Sequence, residues 1–191
     1  MTGAYFSNAG IYLIETLFGL YVLAVLLRFL FQLVRADFYN PISQFIVKIT
    51  NPLLRPLRRW IPSFQGVDTA SIALLLLLKV TESWLVALMY GYAPGFAGIL
   101  VLAFADILQI LVYVFIVVIF AGVILSWVAP DSYNPAVSLI DRLSEPVLQP
   151  FRRMLPPIGG LDFSPFVALI VLQLILMLLV KPLLDLGYSL L

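Results

Sequence analysis

Four long stretches of the chain are almost wholly apolar, and two segments of different pattern lie between them. Gly10–Val34, Thr69–Tyr92, Phe104–Val128 and Phe163–Leu186 each supply the roughly 20 apolar residues that a helix needs to cross a bilayer. The run Gly95–Ala103 is apolar too. One helix over Gly95–Ala129 would be about 52 Å long, against a hydrocarbon core of about 30 Å. Gly95–Ala103 is therefore expected as an interfacial or re-entrant lead-in.

The intervening segments are amphipathic. Ile42, Phe45, Ile46 and Ile49 recur at helical spacing just after Asn40-Pro41, and Ala136, Leu139, Ile140 and Leu143 do so after Asn134-Pro135. With Lys48 or Arg142 on the polar side, each predicts a short helix lying in the headgroup layer. Pro52 and Pro56 are expected to limit the first of these helices. In the second turn that holds them (Asn51–Trp60), Leu53, Leu54, Leu57 and Trp60 offer a lipid-facing side.

These patterns repeat at an offset of 94 residues. Tyr39-Asn40-Pro41 returns as Tyr133-Asn134-Pro135. Pro52, Leu54, Pro56, Arg58, Arg59 and Pro62 return without a gap as Pro146, Leu148, Pro150, Arg152, Arg153 and Pro156, and Gly66 and Asp68 match Gly160 and Asp162. Between Asp37 and Asp68, 13 of 32 positions are identical to their counterparts. Each copy is span, basic loop, span, so both enter the membrane with the same orientation. The expected fold class is an all-α membrane protein: four transmembrane helices in two tandem span–amphipathic loop–span repeats with pseudo-twofold symmetry. The first repeat covers residues 1–94, with its loop at 35–68. The second covers 95–191, with its loop at 129–162.

Composition agrees. Of 191 residues 63% are hydrophobic and 11% charged, far from the balance of a soluble domain. A net charge of +1 is too small for a nucleic-acid partner. Cysteine and histidine are both absent, which removes disulfides, thiolate metal sites and the commonest metal ligand. Neither a nucleophile–base pair nor a nucleotide loop is visible, so a non-enzymatic protein without catalytic residues, metal or cofactor is expected. The N-terminal residues carry no secretory signal pattern.

Basic residues set the orientation. Arg35, Lys48, Arg55, Arg58 and Arg59 fall in the first loop and Arg142, Arg152 and Arg153 in the second, so both loops are expected in the cytoplasm and both termini outside it. Lys181, near the outer end of the fourth span, dissents and is accommodated by snorkelling.

Several polar residues stand out. Lys79 lies about 15 Å into its span and Glu82 follows at i+3, on the same helix face. A charge at that depth must face the bundle interior or water. The repeat pairs Glu15 with Gln109 and Lys79 with Gln173, which suggests a polar cluster of Glu15, Lys79, Glu82, Gln109 and Gln173 around the pseudo-axis. That cluster is either a buried packing device or a functional site. Arg28, whose counterpart is Gly122, is expected to snorkel to the cytoplasmic face. Asp68, Asp162 and Ser164 read as helix caps, with the two aspartates also placed as charge partners for the arginine pairs. Arg58, Arg59, Arg152 and Arg153 read as interfacial anchors, or as a contact site for anionic headgroups or a protein partner.

The second copy carries Glu145-Pro146-Val147-Leu148-Gln149-Pro150-Phe151-Arg152-Arg153, then Pro156-Pro157-Ile158-Gly159-Gly160-Leu161-Asp162-Phe163-Ser164-Pro165. This run resembles the signature of the YggT family of bacterial integral membrane proteins, and two copies in about 190 residues is its proteobacterial form. In the first copy Gln65 replaces the first glycine and Ala70-Ser71 replace Ser-Pro. The resemblance implies a multi-pass protein of the bacterial inner membrane without a settled activity. Relatives are linked to osmotic tolerance and potassium handling, to division genes, and in plastids to cytochrome assembly and nucleoid distribution. The first expectation is a scaffold or assembly factor acting through its paired basic loops on anionic lipid or on a membrane or cytoplasmic protein partner. The alternative is an ion-handling protein. A homo-oligomer is compatible with so small a bundle.

Overall fold

The computed structural model describes residues 2–91, 93–128, 134–155 and 162–191. Tyr92, Tyr133, Pro156, Gly160 and the remainder of the stretches 129–133 and 156–161 lie outside the described residues. Seven α-helices follow in order: α1 (Thr2–Leu33), α2 (Pro41–Trp60), α3 (Thr69–Met89), α4 (Phe96–Val128), α5 (Pro135–Met154), α6 (Ser164–Ile175) and α7 (Lys181–Ser189). A π-helical turn, Leu176–Val180, joins α6 to α7. Pro182 explains that turn. It cannot donate to the carbonyl four residues earlier, and the wider turn lets the helix pass its ring.

Helices α1, α3, α4 and the composite α6–α7 are long and apolar enough to cross a membrane. Their outward faces expose Leu17, Leu20, Leu77, Phe120, Leu178 and many similar side chains, a surface suited to lipid. The protein is an all-α, multi-pass membrane protein. Its packing repeats: α1 rests on α3 with α2 beneath both, and α4 rests on the α6–α7 helix with α5 beneath. Between the halves, α3 packs on α4 and α2 meets α5. One core joins Val22, Val25 and Leu30 of α1 to Leu74 of α3, Leu54 of α2 and Val118 of α4. A smaller one joins Ile119 of α4 to Leu148 of α5 and Leu172 of α6.

The amphipathic helices begin where the pattern puts them. Asn40 accepts from the Ile42 amide and Asn134 from the Ala136 amide, each capping a helix that opens on proline. They do not stop at the internal prolines. Both run for 20 residues, through Pro52 and Pro56 or through Pro146 and Pro150. Four-residue spacing keeps each proline pair on one exposed face, where water or headgroups serve the carbonyls that lose a donor. Leu54, expected to face lipid, is fully buried, while Trp60 is 87% exposed.

Gly95–Ala103 is also corrected. From Phe96 onward it is the first part of α4, a continuous 33-residue helix, and neither a separate interfacial segment nor a re-entrant loop. No proline interrupts the run, and its inner face has a partner in α7. A Cβ on Gly98 would stand 2.8 Å from the Leu190 carbonyl carbon, and one on Gly187 would stand 2.7 Å from Leu102. Bare backbone at these two points lets the C-terminal turn seat against the extended helix.

Asn40 Nδ2 donates to the Pro135 carbonyl at 2.7 Å, and Arg142 Nη1 donates to the Arg35 carbonyl at 3.3 Å. These bonds hold the two basic elbows together at one end of the bundle.

Candidate functional site

Two polar constellations stand out, one within the spans and one at the elbows. In the first, Lys79 of α3 is buried and its Nζ lies 2.8 Å from Glu82 Oε1 and 3.1 Å from Asp106 Oδ2. The i, i+3 spacing brings Glu82 under the ammonium, and α4 delivers Asp106 from across the seam. Two carboxylates satisfy one lysine, and the remaining Glu82 oxygen, Oε2, is buried without a hydrogen-bond partner among the described residues. Glu15 comes to the edge of this group. With Glu82, Ser83 and Asp106 it borders a small cavity of about 120 Å³ toward the end of the bundle opposite the elbows.

The expected five-residue cluster is therefore only partly assembled. Lys79, Glu82 and Glu15 come together; Gln109 and Gln173 do not. Gln109 makes no hydrogen bond among the described residues, and Gln173 is exposed on α6, which does not pack against α3. The reason is geometric: the cluster sits on the α3–α4 seam, not on an axis shared by all four spans. Asp106 is the participant that sequence reasoning left out. Its repeat counterpart is Tyr12, so matching polar positions between copies passes over it.

At the elbows, the arginine pairs divide their work. Arg58 reaches back to Asp68, and Arg152 Nε lies 2.9 Å from Asp162 while its Nη1 engages Glu145. Arg59 and Arg153 are exposed and form no ion pair among the described residues. Asp68 both caps and pairs: it accepts from the Ser71 amide and hydroxyl as well as from Arg58. Burial works against its charge, yet those hydrogen bonds prevail and hold the carboxyl below its ordinary value. Asp162 shows the same balance, with burial opposed by bonds from Ser164 and Arg152 and the carboxyl again lowered. Asp162 stands one residue before the N-cap of α6, Phe163, and Ser164 is not a cap either. It is the first residue of α6, it donates its amide to Asp162 at 2.9 Å, and its own buried hydroxyl has no partner among the described residues.

Arg28 departs most from expectation. Instead of snorkelling outward it is 7% exposed, with Nη1 donating to the Val47 carbonyl at 3.2 Å, Thr50 Oγ1 at 2.7 Å and Asn51 Oδ1 at 2.9 Å. The amphipathic helix offers acceptors at closer reach than the aqueous phase, so the guanidinium bolts α1 to α2. The adjacent polar residues Thr50 and Asn51 on α2 were the available signal.

The family model described as CCB3/YggT matches residues 7–89 and again residues 101–183. An uncharacterised protein of Pseudomonas aeruginosa is 48% identical over 177 residues, covering 92% of this chain and 90% of that one. An uncharacterised protein of Vibrio alginolyticus is 40% identical, covering 87% and 90%. The uncharacterised protein YggT of Escherichia coli is 35% identical, covering 88% and 87%. No solved structure matches. The chain, with two tandem copies of the motif over most of its length, belongs to the CCB3/YggT family.

Proposed function

We propose that the protein is a non-enzymatic scaffold or assembly factor of the bacterial inner membrane, oriented with both elbows in the cytoplasm and both termini outside. One observation carries this reading. In both repeats the first arginine is committed to its aspartate, while Arg59 and Arg153 remain exposed with no ion pair among the described residues. The elbow hydrogen bonds join the starts of α2 and α5, and each helix carries its exposed guanidinium in its last turn, so the joined elbows present a basic surface with one such cation on each helix. That surface suits an acidic segment of a protein partner or the anionic leaflet, where each basic residue contributes about 1 kcal/mol.

Photo-crosslinkers beside Arg59 and Arg153 in native membranes test it. The expected result is a discrete protein adduct that disappears in the Arg59→Glu, Arg153→Glu double variant while the protein stays in the membrane. An adduct that survives both charge reversals overturns the reading.

A second reading, ion handling in support of osmotic or potassium balance, is favoured by the acidic cavity bordered by Glu15, Glu82 and Asp106. Lys79, paired with two of these carboxylates, opposes cation passage. Potassium flux in liposomes that falls in Glu82→Gln would support it over the scaffold.

A further inference from the structure

The repeats differ inside their elbows. In the first, the buried guanidinium of Arg28 is held by Val47, Thr50 and Asn51. Ninety-four residues on, those four positions are Gly122, Asp141, Ser144 and Glu145. The cation has become glycine, and all three positions that received it carry oxygen in their side chains, two of them as carboxylates.

Where Arg28 has its counterpart, a cavity of about 450 Å³ opens between α4, α5 and α6, bordered by Gly122, Ser126, Trp127, Asp141, Ser144 and Arg152. Two of the three counterpart positions, Asp141 and Ser144, border it, while Glu145 turns to Arg152. The Thr50 hydroxyl donates to the Ile46 carbonyl and receives Arg28. Ser144 is 6% exposed; its hydroxyl donates to the Asp141 carbonyl, as the Thr50 hydroxyl also does to Val47, and no donor among the described residues reaches its lone pairs. The Asp141 carboxylate forms no ion pair among the described residues. Farther along the same face of α5, Arg152 is held between Asp162 and Glu145.

We propose that this cavity seats the primary ammonium of an aminophospholipid headgroup, in the place that the Arg28 guanidinium takes in the first repeat. The acceptors require a ligand with N–H donors, which an ethanolamine headgroup has and a choline headgroup lacks. The cavity opens beside Trp127, which is 76% exposed at the end of a span, the depth at which headgroups lie. Arg152 commits Nε to Asp162 and Nη1 to Glu145, and its Nη2, without a hydrogen bond among the described residues, is the donor left for the headgroup phosphate. A zwitterion therefore fits where an anionic headgroup alone would meet Asp141. The inference stands apart from the scaffold reading, since it uses neither Arg59 nor Arg153.

The test is native mass spectrometry of the full-length protein in detergent, offered equal amounts of phosphatidylethanolamine, phosphatidylcholine and phosphatidylglycerol. Phosphatidylethanolamine is expected to be retained about tenfold over phosphatidylcholine, the worth of one charge-assisted hydrogen bond. Gly122→Arg supplies the cation from within the chain and is expected to abolish the preference; a Cβ there meets Ile140 at 3.4 Å, so the backbone accepts it. Asp141→Val, which installs the first repeat's residue, is expected to do the same and decides the matter if Gly122→Arg does not fold. Equal retention of the two zwitterionic lipids overturns the proposal, as does a preference for phosphatidylglycerol. So does an ethanolamine preference unchanged in either folded variant, or loss of a bound protein in place of a lipid.

Discussion

α3 and the α6–α7 helix hold equivalent places in the two repeats, yet they are built differently. α3 is an unbroken helix that carries Lys79 and Glu82 into the seam with α4. At the matching positions its counterpart has Gln173, exposed, and Leu176, buried in an apolar core, and it passes Pro182 through a π turn. The elbows beneath them keep the same prolines, paired arginines and the aspartates that hold the first of each pair. Duplicated spans are thus free to diverge where lipid or apolar packing suffices. At the elbows, the positions that start the helices and pair the arginines hold their chemistry, while the inward positions that receive Arg28 do not.

Removing the cation breaks this comparison most severely. Lys79→Met leaves Glu82 and Asp106 facing each other without a partner and is expected to cost about 3–5 kcal/mol, read as a fall in unfolding midpoint in detergent. Adding Glu82→Gln should recover part of the loss. Gln173→Met at the equivalent but exposed position is expected to stay within about 0.5 kcal/mol. Equal losses at the two sites would refute a cluster confined to the α3–α4 seam.

The elbows should answer alike in sign and differ in size. Asp68→Asn, which weakens a buried cap and its Arg58 pair, is expected to cost about 1–2 kcal/mol. Asp162→Asn, at an exposed pair screened by solvent, should cost about half that. Both carboxyls are lowered from 3.8, so their contribution is complete above that value and is lost as pH falls through the lower folded-state values. Acid titration of the unfolding midpoint should show this loss shrink in each variant.

The smallest effect is a gain. Gln65 takes φ +50° where the second copy has Gly159. A left-handed conformation costs a residue with a Cβ roughly 1 kcal/mol. Gln65→Gly is therefore expected to stabilise by up to about 1 kcal/mol, unless the freer unfolded chain cancels the gain. A midpoint that falls would show that the glutamine side chain contributes more than its backbone strain costs.

Four apolar runs, a strict repeat and the Asn-Pro starts were enough to define the spans, the doubling and the origins of α2 and α5, because each is a local property of composition or periodicity. Helix length through Pro52, Pro56 and Gly95–Ala103 was not legible. Whether a released carbonyl or an apolar face is tolerated depends on what lies beside it, and only folding supplied Leu190 and Leu191 beside Gly98 and open surface over the prolines. Polar partnership was the hardest part to read. Lys79 and Glu82 announced themselves by depth and i, i+3 spacing, whereas Asp106 and the burial of Arg28 follow from the seam where α3 meets α4 and from α2 lying against α1. Charge finds its partner through space, and no repeat or periodicity encodes which neighbouring helix will provide it.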